Sequence, residues 1–500
     1  MLLIALQGVR NCLIYFNVAI FLTHNSYCVF GGVEPAMPAS ACGRVVMIRW
    51  IRESLCIVAC VGLLPGTLLA NDEGCNGQAG FETCSGTTRE IGDALQYLLP
   101  LTAIGTTLVL KDREGTHQYA WALGSNMITI GVAKAAYGKL RPNTGSETSF
   151  PSGHTAAAFS GASFIDARYG HKWGAIAYAF AAYTGYSRVW ADAHFLDDVV
   201  AGASTATLWS LYYTTPYSKT DTISLLPMQV NDGYGLVLNI RNKVPTVSAA
   251  AADEDGEINW FRPPSRAVRS VDPRNTFTFG FGPAFLSKQE IRSGSNGTTF
   301  DLYNFNRDDD PTSTAAVSWE FDLKDKHSMI LSFWPFESRD QGSFTQPVRF
   351  GGEIFPANTN IRSAWLMYDI RGAWNYDILD NNKWSVDLGL GLTAQYLDIR
   401  LETTEGPAVA SSVNDTSVLP LAHVDFTYRF APKWSAVADF EGIWLDSDWI
   451  FDSILAVQYQ FNPQWGVDLG WRSYNRDIET SELANATYYD AVYTAVRYSF

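Results

Sequence analysis

The second half of this chain alternates between apolar and polar residues with the period of a β-strand. From about Asn275 onward, large apolar side chains occupy every second position in a series of runs, with small or charged residues between them. One such run carries its apolar side chains at Trp384, Val386, Leu388, Leu390 and Leu392. A period of two places these side chains on one side of a strand. The pattern therefore constrains residues 275–500 to an antiparallel β-fold with one apolar and one polar surface.

The length of these runs favours a membrane barrel over a soluble sandwich. They extend over about ten to fourteen residues, which suits strands that cross a bilayer at a tilt. Aromatic residues concentrate at the strand ends, where interfacial girdles lie. The chain ends in Phe500, and this aromatic carboxyl terminus resembles that of bacterial outer-membrane barrels. We predict an antiparallel transmembrane β-barrel of about ten strands, with eight to twelve possible, and keep a soluble β-sandwich as the alternative.

The preceding region, residues 88–217, has the composition of packed helices. Charged residues separate five apolar stretches rich in small residues, which cover 94–110, 119–133, 155–165, 173–187 and 199–213. The first stretch contains Pro100 and Gly105, so it suits a buried core helix as well as a membrane helix. An outer-membrane protein has to cross the inner membrane without stopping there. We therefore predict a multidomain α plus β protein, in which a soluble all-α domain precedes the barrel.

Three short motifs in the helical region indicate its chemistry. In chain order they read KAAYGKLRP over residues 134–142, PSGH over 151–154 and SRVWADAHFLDD over 187–198. A phosphoryl group in transfer carries negative charge on its oxygens, so cations and backbone N–H groups are expected around it. Lys134, Arg141 and Arg188 can supply the positive charge, and an arginine can donate to two oxygens at once. The motifs therefore predict a phosphate site.

The second and third motifs also indicate the reacting groups. Ser152 and Gly153 stand where a helix is predicted to begin, and the backbone N–H groups there would bind an anion. His194 and Asp198 are four residues apart and share a face of a helix. A carboxylate at that distance fixes the imidazole tautomer and leaves the other nitrogen free to attack. His154 is then available as the acid that protonates the leaving oxygen.

Together, these motifs resemble those of the type 2 phosphatidic acid phosphatase superfamily, which shares its fold with bacterial class A acid phosphatases and vanadium haloperoxidases. The resemblance covers roughly residues 88–217. It implies a reaction without metal or cofactor, in which His194 forms a phosphohistidine intermediate, Asp198 orients it and His154 is the general acid. It also implies that the phosphate is bound by Lys134, Arg141, Ser152, Gly153 and Arg188.

Three other charged residues inside the motifs receive no role. Asp197 stands beside Asp198, but the spacing selects Asp198, so we expect Asp197 to be a solvated neighbour. Lys139 and Asp192 occupy variable positions of their motifs.

The N-terminal residues predict an exported protein. Residues 47–70 combine a short basic start with an apolar run, which is the layout of a secretory signal peptide. A lipoprotein box ending at Cys60 is the weaker alternative. Residues 1–46 are expected to be an over-extended reading frame, and a membrane anchor is the rival interpretation.

Cysteine usage agrees with export. Of the 7 cysteines, only Cys75 and Cys84 follow Ala70, the residue at which the predicted signal peptide ends. A close pair in an exported protein is expected to form a disulfide, which here closes a small loop in residues 71–87. The spacing does not suit a zinc site.

The combined interpretation is a phosphatase domain joined by a linker, residues 218–274, to an outer-membrane barrel. The net charge of −15 argues against a nucleic-acid partner, so the substrate and membrane lipid are the partners implied. We predict hydrolysis of lipid phosphates or pyrophosphates, or of other phosphomonoesters, by a domain in the periplasm. One alternative is a transport or structural barrel with a vestigial phosphatase domain. The other is a vanadium-dependent haloperoxidase.

Overall fold

The computed structural model describes residues 86–142, 146–217, 223–230, 233–240, 275–305, 311–324 and 326–500. The predictions for residues 1–46, for the signal peptide, for the Cys75–Cys84 disulfide and for most of the linker lie outside these residues. Within the linker region, the structure describes an antiparallel hairpin of β1 (Ile223–Val230) and β2 (Gly233–Ile240).

The described residues between 86 and 217 form five α-helices. They are α1 (Thr87–Val109), α2 (Arg113–Tyr137), α3 (Gly153–Tyr169), α4 (His171–Trp190) and α5 (Leu196–Tyr213). Local sequence sets the helix ends. The side chain of Asp112 accepts a hydrogen bond from Gly115 N–H at 2.9 Å to cap α2, and Gly138 ends this helix with a φ of 57°. No helix in the described part of the chain combines the length and the hydropathy that a membrane span requires.

Small residues let the helices pack closely around α3, which contacts each of the other four. Gly161 lies against the backbone of α1, because a Cβ added there would be only 2.5 Å from the carbonyl carbon of Leu99. The rings of Tyr119 and Phe164 meet at 4.7 Å between centroids in the core of this domain. The all-α region predicted from the sequence is therefore confirmed, and α3 is its central helix.

Ten long antiparallel strands form a closed barrel in the described part of the second half. They are β3 (Asn275–Ser293), β5 (Thr312–Lys324), β6 (His327–Gly342), β9 (Ile361–Asp380), β10 (Trp384–Thr403), β11 (Ala410–Ala431), β12 (Trp434–Leu445), β13 (Asp448–Gln460), β14 (Trp465–Glu479) and β15 (Leu483–Ser499). The last strand pairs with the first, with Leu483 opposite Ser293. The connections hold the short strands β4 (Phe300–Asp301), β7 (Val348–Phe350) and β8 (Glu353–Phe355). Closure of the ring confirms the ten-stranded barrel and excludes the sandwich.

The barrel wall separates apolar from polar side chains as the alternation predicts. On β10, Leu390 and Leu392 are 68% and 58% exposed, whereas Thr393 is fully buried. The exposed leucines give the barrel an apolar outer face, which a bilayer would cover. A closed barrel with this outer face supports an outer-membrane location.

The lumen differs between its two ends. At the end with short turns, it holds a polar cavity of about 890 Å³ that reaches Lys383 and Lys433. At the end with long connections, buried apolar residues fill the space, among them Phe344, Phe350 and Phe355. Side chains thus fill one half of the lumen, and the other half is open.

The helical domain packs against the outer face of the barrel wall. α5 lies along β3, β5 and β6. Its Ala201 and Leu208 belong to a buried apolar cluster that includes Phe279, Ala315 and Trp465 of the barrel. The helical domain and the barrel therefore touch directly, in addition to their covalent connection.

Candidate active site

The phosphate motif lies at the start of α3. The side chain of Ser152 caps the helix by accepting a hydrogen bond from Thr155 N–H at 3.4 Å. The backbone N–H of Ser152 donates to the carbonyl oxygen of Asp198 at 2.9 Å, so it is not available to an anion as predicted. The anion-binding role of Gly153 N–H stays a prediction, while Ser152 joins the start of α3 to the start of α5.

Asp198 holds one nitrogen of His194. Its Oδ2 lies 3.3 Å from Nδ1 of the histidine, across the start of α5. The same oxygen accepts hydrogen bonds from the Ser149 hydroxyl at 2.5 Å and from Phe195 N–H at 3.0 Å. Burial disfavours the ionised carboxyl, but Lys139 and His194 hold the pKa of Asp198 well below its usual range. A carboxylate in this position makes Nδ1 the protonated nitrogen and leaves Nε2 for catalysis.

The surroundings of His194 favour the neutral form of its imidazole. The residue is 2% exposed, and this burial lowers its pKa. Asp198 opposes the effect, whereas the nearby cations Lys134 and Arg141 add to it. A neutral imidazole retains the lone pair that attack on phosphorus requires.

His154 shares a carboxylate with Arg188. Nε2 of His154 lies 3.2 Å from Oδ1 of Asp93, and the same oxygen accepts a hydrogen bond from Nη1 of Arg188 at 2.6 Å. Burial and the charge of Arg188 lower the pKa of His154 to about 4, and Asp93 acts in the opposite direction. A bound phosphate would add negative charge and favour the protonated form that a general acid needs.

Two cations of the first motif have no carboxylate within salt-bridge distance among the described residues. Nζ of Lys134 donates instead to the carbonyl oxygens of Thr148, at 2.5 Å, and Ser149, at 3.4 Å. Burial and the charge of Arg141 lower the pKa of Lys134 to about 8. Nε of Arg141 is buried, and no described residue accepts a hydrogen bond from it. Positive charge that is partly buried and unpaired marks a place that an anion would complete.

Asp197 and Lys139 belong to the same buried network. Asp197 is 2% exposed, so the expectation of a solvated neighbour is wrong. Lys139 donates to both of its carboxylate oxygens, at 2.8 and 2.9 Å, and to Oδ1 of Asp198 at 3.0 Å. Burial raises the pKa of Asp197 to about 6 in spite of this lysine. The variable position of Lys139 thus holds the cation that keeps Asp198 ionised.

Four residues of this network were not predicted from the sequence, namely Asp93, Lys139, Ser149 and Asp197. The doublet of acidic residues at the start of α5 was the available signal for Asp197. Asp93 lies on α1, outside all three motifs, and no local pattern indicates its contact with His154. Among the described residues, no group of three or more His, Cys, Asp or Glu side chains is arranged to hold a metal ion.

Solved structures resemble the two regions separately. The outer membrane protease OmpT of Escherichia coli matches 47% of this chain and 99% of its own, with 11% identity and a TM-score of 0.30. Aquifex aeolicus LpxE matches 25% of this chain and 81% of its own, with 22% identity and a TM-score of 0.23.

Two relatives are similar in sequence to the helical region. The lipid A 1-phosphatase of Porphyromonas gingivalis is 39% identical over 90 residues, which are 17% of this chain and 20% of that protein. The lipid A 4'-phosphatase of Helicobacter pylori is 32% identical over 143 residues, which are 26% of this chain and 70% of that protein. The chain thus spans only about a fifth of the first relative and more than two thirds of the second.

The sequence profile of the PAP2 superfamily matches residues 115–220. This match includes all three motifs, and the structure brings their histidines, cations and carboxylate together at the N-termini of α3 and α5. The chain belongs to the PAP2 superfamily, and its helical domain is a phosphate monoester hydrolase domain of that superfamily.

Proposed function

We propose that this protein hydrolyses phosphate monoesters or pyrophosphates of membrane lipids through a phosphohistidine on His194. The observation that carries the proposal is the contact, at 3.3 Å, between the buried side chains of His194 and Asp198 beside three cations, Lys134, Arg141 and Arg188. Such a site combines a nucleophile with a position that favours an anion.

In the first step, Nε2 of His194 attacks phosphorus, a nitrogen–phosphorus bond forms, and the bond to the leaving oxygen breaks. His154 donates its proton to that oxygen. Asp198 stabilises the positive charge that develops on His194. In the second step, water attacks phosphorus, His154 takes up a proton from this water, and the nitrogen–phosphorus bond breaks to release inorganic phosphate. The cations and Gly153 N–H would stabilise the negative charge in both steps.

A lipid substrate is supported by two separate considerations. Both sequence relatives described above are named lipid A phosphatases. The barrel supports an outer-membrane location, and the direct contact of the helical domain with the apolar outer face of the barrel brings the site close to lipid. Lipid phosphates are therefore preferred over freely diffusing esters.

The side of the membrane that the site faces is a separate question. The sequence predicts the periplasm. One contact favours the opposite side, because Arg339, which touches the helical domain, lies three residues from the end of β6 that enters the long connection to β9. Long connections of outer-membrane barrels are extracellular. An impermeant maleimide distinguishes the two, with Glu147→Cys as the exposed target. A periplasmic site predicts labelling only after the outer membrane is permeabilised, and labelling of intact cells would contradict it.

Phosphate release by purified full-length protein tests the activity. The assay compares a lipid phosphate and an isoprenyl pyrophosphate in mixed micelles with p-nitrophenyl phosphate in the same detergent. We expect release from all three, with higher kcat/KM on the lipids, and acid-labile phosphate on the protein after a rapid quench. No release from any substrate would favour the vestigial domain. Halogenation that needs peroxide and added vanadate would favour the haloperoxidase.

A further inference from the structure

The barrel wall touches the loop that carries the nucleophile. This catalytic loop, residues 191–195, connects α4 to α5 and contains His194. From the contacts within this loop and just after it, we infer that Arg339 and Ser313 of the barrel are positioning residues for the phosphatase reaction, so that the barrel completes the active site. The inference rests on the proposed function and adds a part of the chain that lies outside the superfamily motifs.

Arg339 of β6 binds the catalytic loop directly. Its Nη1 and Nη2 donate to the two carboxylate oxygens of Asp192 at 2.9 and 2.7 Å. Asp192 has a φ of 52°, in the left-handed region that few side chains adopt without outside support. An arginine that makes a bidentate hydrogen bond to a carboxylate fixes both the direction and the distance of that carboxylate. The ion pair therefore holds the loop in a conformation that its own backbone disfavours.

Arg339 also joins two motifs that are distant in the sequence. Its guanidinium lies 5.4 Å from the ring centre of Phe195, the residue after the nucleophile. Its Nη1 reaches the carbonyl oxygen of Pro142 at 3.5 Å, at the end of the first motif. Glu337 of the same strand accepts a hydrogen bond from Nε at 2.7 Å and so orients the side chain. One barrel residue thus touches the segments that supply Arg141 and His194.

A second contact reaches the nucleophile through a chain of hydrogen bonds. The hydroxyl of Ser313 on β5 donates to Oδ2 of Asp197 at 2.5 Å. Asp197 is bound by Lys139, and Lys139 is bound to Asp198, which orients His194. Ser313, Asp197 and Asp198 are all buried, so these bonds are shielded from competing water. The barrel therefore contacts Asp192 within the catalytic loop and Asp197 in the first turn of α5, which follows the loop.

The contacts should affect turnover more than binding. The helical-domain carboxylates described as partners of Arg339 and Ser313 are Asp192 and Asp197, which do not belong to the phosphate cradle formed by Lys134, Arg141, Gly153 and Arg188. The affinity for phosphate should therefore depend on Arg339 and Ser313 only indirectly. Displacing a nucleophile by about 1 Å costs roughly 100-fold in rate. A purely structural role would instead reduce the amount of folded barrel and leave the folded fraction fully active.

The test uses full-length protein in detergent and p-nitrophenyl phosphate, a substrate that does not require lipid binding. Arg339→Ala should lower kcat by about 100-fold, with little change in KM, while the heat-modifiable gel mobility of the folded barrel is retained. The kcat of Arg339→Lys should lie between those of this variant and the wild type, because lysine keeps the positive charge and loses the bidentate hydrogen bond to Asp192. The reciprocal exchange Arg339→Asp with Asp192→Arg should recover part of the loss seen with either single change.

Arg497→Ala is the control, because Arg497 also pairs with an aspartate, through its Nε and Oδ1 of Asp468 at 2.9 Å, but faces the lumen. Its kcat should match the wild type. If Arg339→Ala and Ser313→Ala are both folded and fully active, the inference is wrong. If Arg339→Ala does not assemble, Arg339→Lys and Ser313→Ala test the inference by the same criterion, a lower kcat with little change in KM. Unchanged kcat in both folded variants would then contradict the inference.

Amide hydrogen exchange tests the inference independently of activity. Ala193 and His194 N–H both donate to the carbonyl oxygen of Arg188, at 3.0 and 3.3 Å, within the catalytic loop. Loss of Arg339 should accelerate exchange at these two amides and not in the lumen strands. If the wild type released no phosphate, the proposed function would fail, but this exchange measurement would still decide whether the barrel holds the loop. Unchanged exchange would overturn the inference.

Discussion

Two buried clusters of charged residues in this molecule differ in how many carboxylates each cation has as partners. In the lumen, Arg371 donates to carboxylates of Asp369, at 2.7 Å, and of Asp452, also at 2.7 Å, and contacts Glu441 as well. In the phosphate cradle, Lys134 and Arg141 have no such carboxylate among the described residues. One arginine thus meets three anions in the lumen, whereas two cations in the cradle meet none.

The difference separates charge that serves the fold from charge that serves a ligand. Buried ions need partners, and the lumen supplies them within the protein. The cradle leaves the partner to be supplied by a phosphate. Substitutions in the cradle should therefore change catalysis and leave the barrel intact, and substitutions in the lumen should do the reverse. The following four predictions test whether charges in the cradle act only on catalysis and charges in the lumen act only on the stability of the barrel.

Replacement of the nucleophile should have the largest effect. His194→Ala removes the atom that bonds to phosphorus, so turnover should fall by at least about 10⁴-fold and no phosphoprotein should form. Quenched labelling with radioactive substrate measures both. His154→Ala is the comparison, since it should still form phosphoprotein from p-nitrophenyl phosphate, whose leaving group needs no proton. Near-normal activity in folded His194→Ala would refute the assigned role.

Loss of a cradle cation should have the next largest effect. Arg141→Ala removes charge from the phosphate position, so kcat/KM should decrease by about 10² to 10³-fold. The affinity for orthovanadate, a phosphate analogue, should weaken in parallel. The gel mobility of the folded barrel should not change. A loss of folded barrel with normal vanadate affinity would assign Arg141 to the fold instead.

A lumen substitution should show the opposite pattern. Arg371→Met leaves the buried carboxylate of Asp369 without its cation and leaves Asp452 with Arg472 alone, so the free energy of unfolding should fall by about 3 to 5 kcal/mol. Denaturant titration of protein in lipid vesicles measures this change. Phosphate release at temperatures where the barrel stays folded should equal that of the wild type. A specific loss of kcat would show that the lumen cluster takes part in the reaction.

The smallest effect should be a shift in pH dependence. Asp93 raises the pKa of His154 against burial and Arg188, so Asp93→Asn should lower that pKa further. The acid form of His154 is then lost at lower pH, and the alkaline limb of kcat/KM should move to lower pH by about one unit. The substrate has to be an alkyl phosphate, whose leaving oxygen needs the proton. With p-nitrophenyl phosphate the limb should not move.

The sequence predicted the features that repeat or that occupy fixed spacings. The alternating runs predicted a barrel of about ten strands, with eight to twelve possible, because alternation and strand length are properties of the local backbone. The spacing of His194 and Asp198 also predicted their contact, but His194 lies in the loop before α5 and not on the helix as expected. These predictions needed no knowledge of which elements are neighbours in space.

The contacts between distant segments could not be predicted in this way. Asp93 lies 95 residues before Arg188, and the bond between them depends on how α1 packs against α4. Asp197 was misjudged because its partners, Lys139 and Ser313, come from other parts of the chain. The apolar filling of the lumen by β7 and β8 likewise has no local signature. Spacing predicts contacts within an element, whereas packing decides those between elements.

The contact between Arg339 and Asp192 also has a consequence for timing. Arg339 belongs to a strand that is aligned by β5 on one side and by β9 on the other, so its position is set only when the ring has formed. If the loop needs this contact, a newly made chain carries an unfinished enzyme until it reaches its final membrane. The phosphatase would then become active only after the barrel has assembled. Phosphorylated compounds in the compartments that the chain crosses earlier would not be hydrolysed.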